Sequence, residues 1–168
     1  MTAFDNVTHL TKMLDNLDQW IDLAIAHAEK KKFSPEVYVA ARLAPDQYDF
    51  ARQIQSACDA AKFAGAYLAG QTAPSHPDTE KTLPELRARI KTCTTYMKTL
   101  MASDFAGAEE RRVSPKWMGG KWVTGSDYLN QIAVPNFYFH ATTAYSILRH
   151  NGVELGKSQF MGAIPMNA

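Results

Sequence analysis

The sequence has little cysteine, no long apolar run and almost no net charge. Cys58 and Cys93 are its two cysteines among 168 residues and form no CxxC pair, so we expect free thiols rather than a disulfide framework. No run approaches the roughly 18 apolar residues of a membrane-spanning helix. Eighteen Lys and Arg against 17 Asp and Glu give a net charge of +1, without the basic surplus of nucleic-acid-binding proteins. We therefore expect neither a membrane nor a nucleic acid as partner.

The short motifs of the common catalytic sites are also lacking. The sequence contains no GxSxG elbow, no GxGxxG or GxxxxGK[ST] loop and no HExxH pair, so the corresponding hydrolase, nucleotide-binding and metalloprotease chemistries have no support. The first twenty residues lack a basic segment followed by an apolar core, and we expect no signal peptide and a cytoplasmic location. Whether the protein is an enzyme stays open at this point.

Apolar residues recur at helical spacing in four segments. The predicted helices run from Asp5 to about Lys31, from about Asp46 to Leu68, from Thr82 to about Ala102, and from Thr124 or Ser126 to about His150. We expect Asp46 to cap the second helix. Thr82-Leu83-Pro84-Glu85 is a capping box at the start of the third helix. Pro135 should kink or divide the fourth.

The connecting segments carry turn and loop signals. Ser34 and Pro35 predict the start of a short helix, and the runs Arg111-Val113 and Lys121-Val123 around a Gly-Gly predict a small β-hairpin or an irregular loop. A mostly irregular tail, residues 153–168, should lie along the helices. The sequence therefore predicts an all-α fold, a four-helix bundle forming one domain over residues 1–168.

His140 lies on the inward stripe of the fourth helix. Asn136 precedes it by one turn, and side chains at i and i+4 share a surface, so the two could hold one ligand, water or ion. The alternative is a core histidine that bonds a side chain or carbonyl. By residue type, Gln53, Asp49 and Cys58 of the second helix are the nearest further ligands, but their spacing is not diagnostic of a metal site.

Three stretches of the sequence resemble a known family. They are ARLAPDQYDFARQIQSACDAAKFAGAYLAG, GGKWVTGSDYL and PNFYFHATTAYSILRHNGVELGKSQFMG. In this order they are similar to DUF1993, a bacterial and fungal domain of unknown function within the DinB/YfiT-like superfamily. The resemblance implies a metal-dependent type of four-helix bundle, in a superfamily that includes bacillithiol- and mycothiol-dependent transferases.

The resemblance also implies a site. The superfamily holds a divalent ion such as zinc or nickel with a histidine of the second helix and an HxxxH pair of the fourth. Here the pair reads Asn136-x-x-x-His140, and the second-helix stretch FARQIQSACDAAK has no histidine. Two of three ligands are therefore absent, and an amide binds zinc poorly compared with imidazole or thiolate.

Three functions follow as hypotheses. In the first, the bundle has lost most of its metal site, uses no cofactor, and binds a small molecule near His140, Asn136 and Gln53, with Arg42 and Asp46 at the mouth. In the second, it is an enzyme similar to the thiol-dependent transferases, with zinc or nickel on His140 and Cys58, or with His140 as general base. In the third, it is a structural or interaction protein. We expect a homodimer, and the sequence assigns no catalytic residue.

Overall fold

Long helices make up most of the computed structural model, which describes residues 1–166. The four long ones are α1 (Ala3–Lys31), α2 (Phe50–Leu68), α3 (Leu83–Met97) and α5 (Val134–His150). Two short helices, α4 (Gly125–Asp127) and α6 (Lys157–Met161), lie before and after α5. Single 3-10 turns form at Pro35–Tyr38, Ala102–Phe105 and Lys116–Met118. The prediction of a mostly helical fold is confirmed.

Most helix starts follow their sequence signals. Thr82 and Glu85 form the expected capping box of α3, and Ser34 caps the turn that begins at Pro35. The prediction for Asp46 is wrong. The chain forms turns through that residue, and Asp49 caps α2 instead, its Oδ1 accepting a hydrogen bond from the Arg52 N–H at 3.0 Å. Helix α2 therefore begins at Phe50, four residues later than expected.

Helix α3 ends at Met97, earlier than the predicted Ala102. The Thr99 hydroxyl donates to the Tyr96 carbonyl at 2.7 Å, a side-chain bond that satisfies a carbonyl at the helix end. The segment after α3 forms the predicted β-hairpin, displaced by one residue: β1 (Arg112–Val113) pairs antiparallel with β2 (Val123–Thr124). Of the two alternatives for this segment, the hairpin is confirmed.

Pro135 divides the last long helix as predicted, through a change of helix type. Tyr128–Ala133 is a π-helix that leads from α4 into α5. The Val134 N–H bonds the Leu129 carbonyl, five residues back. Proline lacks an N–H and its ring would clash with the carbonyl four residues back in a regular α-helix, so the wider π turn accommodates it.

Helix α2 occupies the centre of the fold and packs against α1, α3 and α5. Its small residues make this possible. A Cβ added at Gly65 would lie 2.7 Å from Leu100 Cδ1. The segment that follows α3 therefore approaches α2 closely at this residue. One hydrophobic core joins the helices and includes Leu17, Ile21, Phe50, Ile54, Phe137 and Ile147.

The tail packs along α1, but it is less irregular than expected because residues 157–161 form α6. The Trp20 indole N–H donates to the Gln159 carbonyl at 2.9 Å, and the Trp20 and Phe160 rings stack at 5.3 Å. These contacts give the short helix a partner that the tail sequence alone does not reveal. The last two residues of the predicted tail, Asn167 and Ala168, lie outside the described residues. Within residues 1–166, no helix is long and apolar enough to cross a membrane.

Candidate functional site

His140 and Gln53 form a buried pair between α5 and α2. His140 is 8 % exposed and Gln53 is fully buried. The Nδ1 of His140 lies 2.7 Å from Oε1 of Gln53. The other end of the amide, Nε2, donates to the backbone carbonyl of Tyr48 at 3.2 Å. Because the amide bonds at both ends, its orientation follows from the network.

That orientation assigns the proton of the imidazole. The Gln53 Oε1 can only accept, so the His140 Nδ1 carries the hydrogen. Burial, together with the nearby positive charge of Arg52, lowers the pKa of His140, which favours the neutral ring. Its Nε2 then holds a lone pair. Within residues 1–166 this atom has no hydrogen-bond partner, and it is not among the polar atoms sealed from solvent.

Two exposed aromatic side chains flank the imidazole. The Tyr48 ring lies nearly parallel to it, with centroids 6.4 Å apart and an interplanar angle of 13°. The Phe139 ring meets it edge-on at 5.2 Å and 82°. Tyr48 and Phe139 are 53 % and 58 % exposed. The imidazole that carries the acceptor nitrogen therefore has two large rings beside it that solvent reaches.

Tyr48 also lines an open groove of about 440 Å³ beside the start of α2. Arg42 and Asp46, predicted at a pocket mouth, both line this groove. Arg42 bonds the Asp49 carboxylate at 3.2 Å, whereas Asp46 has no ion pair in the part of the chain that the structure describes. The remaining lining residues are Gln47, Asp49, Ala51, Arg52, Gln55 and Glu80.

The predicted site residues thus fall into separate places. His140 and Gln53 are in direct contact, and Arg42 and Asp46 share the groove that begins at Tyr48. Asn136 lies exposed on α5, one turn before His140, and does not line the groove. The structure therefore brings four of the five predicted ligand-binding residues to the two sides of Tyr48.

Sequence reasoning missed Tyr48, Arg52, Gln55 and Glu80. Gln55 donates to Glu80 at 2.9 Å and accepts from Arg52 at 3.3 Å, and Arg52 also pairs with Asp78. The i, i+3 spacing of Arg52 and Gln55 on α2 is a signal that could have linked them. Glu80 belongs to a loop 25 residues further along, and no local pattern places it at the groove.

Comparison with known proteins assigns the chain to a family. A family model described as domain of unknown function (DUF1993) matches residues 5–161. The chain belongs to the DUF1993 family. The crystal structure of a DinB family member from Shewanella denitrificans has 48 % sequence identity, a TM-score of 0.94, and an alignment that covers 98 % of this chain and 94 % of that one. No curated protein matches the chain. The resemblance drawn from the sequence is confirmed at the level of the family.

The donors in this DUF1993 chain do not fit a zinc or nickel site at His140. The side chains that surround the imidazole are an amide and two aromatic rings, whereas zinc sites take three or four imidazole, thiolate or carboxylate ligands. Among residues 1–166, no three His, Cys, Asp or Glu side chains come together in a way that could hold a metal ion.

Cys58, predicted as an additional ligand, lies on the side of α2 that faces α3. Both cysteines are free and buried, in agreement with the sequence prediction of free thiols. The Cys93 thiol donates to the Cys58 carbonyl at 3.2 Å. The contact with Cys93 and burial raise the pKa of Cys58 well above its usual value, so the thiol stays protonated. Metal binding and nucleophilic attack both require the thiolate.

A buried arginine holds the loop that carries the groove wall. Arg89 of α3 is 3 % exposed and bonds Asp59 at 2.8 Å, Asp78 at 3.2 Å and Glu80 at 3.2 Å. Glu80 in turn lines the groove. One guanidinium therefore ties α2, α3 and the loop between them together, and fixes the edge of the groove opposite Tyr48.

Proposed function

We propose that this DUF1993 protein binds a small molecule at His140, without a resident metal. The hydrogen bond from His140 Nδ1 to Gln53 carries the proposal. It commits one ring nitrogen to the fold and leaves the other as an acceptor beside Tyr48 and Phe139. An acceptor that solvent reaches, on a ring whose other nitrogen is fixed by Gln53, is suited to a donor group of a ligand.

The surroundings of Nε2 indicate the chemistry of the ligand. A hydroxyl or N–H group would donate to the imidazole, and a flat ring would pack against the exposed faces or edges of Tyr48 and Phe139. Substituents that reach past Tyr48 would meet the charged side chains of Arg42, Arg52 and Asp46 in the groove. We therefore favour a small planar molecule with one donor at the imidazole and polar substituents toward the groove.

Nuclear magnetic resonance of the imidazole tests this proposal with phenol, which has one aromatic face and one hydroxyl. We expect phenol to shift the His140 ring signals in a saturable way, and toluene, which lacks the donor, to shift them much less. A Gln53→Leu variant should weaken the effect because the ring loses its fixed tautomer. His150→Ala, which changes an exposed histidine at the end of α5, is the matched control. Equal responses to phenol and toluene would contradict the proposed role of Nε2.

A metal-dependent transferase is the alternative implied by the resemblance, and metal analysis separates the two. Protein purified without a histidine tag should contain no stoichiometric zinc or nickel under the proposal. A stoichiometric metal that is lost in His140→Ala would establish the metal site instead. Retention of the metal in His150→Ala would show that the loss is specific to the site.

A homodimer is the third possibility, and exposed apolar side chains favour it. Leu43, Tyr48 and Phe139 are large apolar side chains exposed by 42 %, 53 % and 58 %, and such side chains are often covered in subunit interfaces. Sedimentation equilibrium of the protein and of Phe139→Ser tests this. A dimer that the substitution disrupts would indicate that the His140 site lies at an interface, whereas a monomer leaves the site open to small molecules.

A further inference from the structure

The β-hairpin before α4 carries a cationic, aromatic tip that the small-molecule proposal does not use. The hairpin tip, residues 116–122, has the sequence KWMGGKW. Trp117 is 71 % and Trp122 47 % exposed, and they are two of the three tryptophans of the chain. Tryptophan is the largest apolar side chain, so leaving two exposed on one short hairpin is unfavourable unless something covers them.

The structure presents this tip outward and anchors its base. Val113 and Pro115 are buried, and the Ser114 hydroxyl donates to the Lys121 carbonyl at 2.6 Å, which closes the hairpin. At the tip, no heavy atom beyond the neighbouring residues would lie within 4 Å of a Cβ placed at Gly119 or Gly120. The two tryptophans are therefore held on a firm base and project into solvent.

The charge of the hairpin is of one sign. Arg112, Lys116 and Lys121 are exposed, and residues 112–122 contain no acidic side chain. The Arg112 guanidinium lies 4.1 Å from the centre of the Trp122 ring, a cation–π contact that orders both groups. Three cations and two indoles thus lie within eleven residues of one hairpin, in a chain whose overall charge is only +1.

We propose that this tip binds the surface of an anionic lipid bilayer. Indole rings prefer the interface between headgroups and acyl chains, and lysines near an anionic surface add attraction. A protein bound in this way lies at the membrane surface and needs no spanning helix. The lack of a long apolar run in the sequence therefore does not exclude it. The proposal does not depend on the function of the His140 site.

Two other occupants fit the tip less well. A second copy of the chain placed symmetrically on the hairpin would bring three cations against three cations, which is repulsive. Single-stranded nucleic acid is bound along positively charged grooves with aromatic platforms, whereas this surface is the end of a hairpin. The end of a hairpin that carries two exposed apolar rings is suited to partial insertion into an interface.

Co-sedimentation of the full chain with vesicles tests the proposal. We expect binding to vesicles of phosphatidylcholine and phosphatidylserine, and little binding to phosphatidylcholine alone. Lys116→Ala with Lys121→Ala should lower the partition coefficient about 25-fold, since each lysine near an anionic surface contributes about a factor of five. Trp117→Ala with Trp122→Ala should lower it further, while circular dichroism shows an unchanged helical fold.

Matched variants elsewhere on the surface provide the controls. Lys91→Ala with Lys157→Ala removes two exposed lysines, and Val37→Ala removes one exposed apolar side chain; neither should change vesicle binding. Failure of the wild-type chain to bind the anionic vesicles would overturn the proposal, and so would binding that the hairpin variants leave intact. Saturable binding of a single-stranded oligonucleotide by the tip, without vesicle binding, would identify a nucleic acid as the occupant instead.

Discussion

Arg89 and Arg87 lie two positions apart on α3, and each contacts two or more carboxylates, but only Arg89 is buried. Its side chain is 1 % exposed, compared with 35 % for Arg87. Arg87 joins Asp18 and Asp22 of α1 at the surface, whereas Arg89 joins Asp59, Asp78 and Glu80 beneath the loop. An arginine paired with several carboxylates therefore occurs once at the surface of the protein and once in its interior.

This difference predicts unequal effects of two equal substitutions. Arg89→Met should lower the free energy of unfolding by about 3 kcal/mol, because Glu80 loses its cation inside the protein while Asp59 and Asp78 keep Lys62 and Arg52. Arg87→Met should lower it by less than about 1 kcal/mol, because water screens an exposed pair. Urea denaturation of both variants measures the difference. Similar losses would show that the burial of Arg89 does not determine its contribution.

Replacing Gln53 by glutamate should reverse the electrostatics of His140. In the wild-type chain burial and Arg52 lower the pKa of the imidazole. A carboxylate at the position of the Gln53 amide would stabilise the imidazolium instead, so the pKa of His140 should rise in Gln53→Glu. Titration of the His140 ring signals by nuclear magnetic resonance measures this directly.

The control for this substitution is Gln55→Glu, which adds a carboxylate to the same helix near Arg52 and Glu80 rather than against the imidazole. It should shift the pKa of His140 much less. If both variants raised the pKa equally, the effect would come from the overall charge of α2 and not from the hydrogen bond to Nδ1.

The lowered pKa of His140 also predicts how stability depends on pH. The unfolded chain protonates this histidine near its ordinary value of 6.5, while the folded chain does so only at lower pH. Below about pH 6.5 the unfolded state therefore binds more protons, so the free energy of unfolding falls as the pH decreases toward the folded pKa. Burial lowers the pKa of His76 as well, and it contributes in the same direction.

Chemical denaturation between about pH 7.5 and 5, a range that brackets the ordinary histidine pKa of about 6.5, measures this loss. In His140→Gln and in His76→Gln the loss should be smaller than in the wild-type chain, and smaller still in the double variant. His9→Gln, which replaces an exposed histidine of α1, is the comparison variant. An unchanged slope in the double variant would assign the acid sensitivity to other groups.

Gly125 marks a point where two segments touch through their backbones. A Cβ at this residue would lie 1.9 Å from the Ala108 carbonyl oxygen, and a backbone atom cannot turn aside as a flexible side chain does. Gly125→Ala should therefore destabilise the protein by at least the roughly 1–3 kcal/mol typical of overpacking. Gly156→Ala, where the nearest atom is the Gln159 side-chain oxygen at 3.2 Å, should have a smaller effect in thermal unfolding. Equal melting temperatures for the two variants would contradict this assignment.

Local signals in the sequence account for much of the fold. The capping box at Thr82, the cap and proline at Ser34-Pro35 and the Gly-Gly between two short runs each specify structure within a few residues, and the structure contains all three. The prediction of Asp46 as a cap failed because Asp46 and Asp49 are equally good caps by type. The start of α2 was decided by where the preceding turns end and where Phe50 enters the core, which no local pattern shows.

The candidate site, like the fold, could be predicted from the sequence only in part. The helical repeat was enough to place His140 on an inward face, and the family resemblance was enough to direct attention to Asn136 and the second helix. The partner of His140 was not decided there, since Gln53 lies 87 residues away and an amide is compatible with many environments. The same holds for Glu80 and Arg89, which meet only after α2, α3 and the loop between them have packed.

The sequence by itself determined the helices, their inward faces and the family, because hydrophobic period and capping act over one or two turns of chain. Only the tertiary structure decided which nitrogen of His140 is free, which arginine is buried and which tryptophans are exposed. Each of these depends on atoms from segments far apart in the chain, and on how much water their packing excludes.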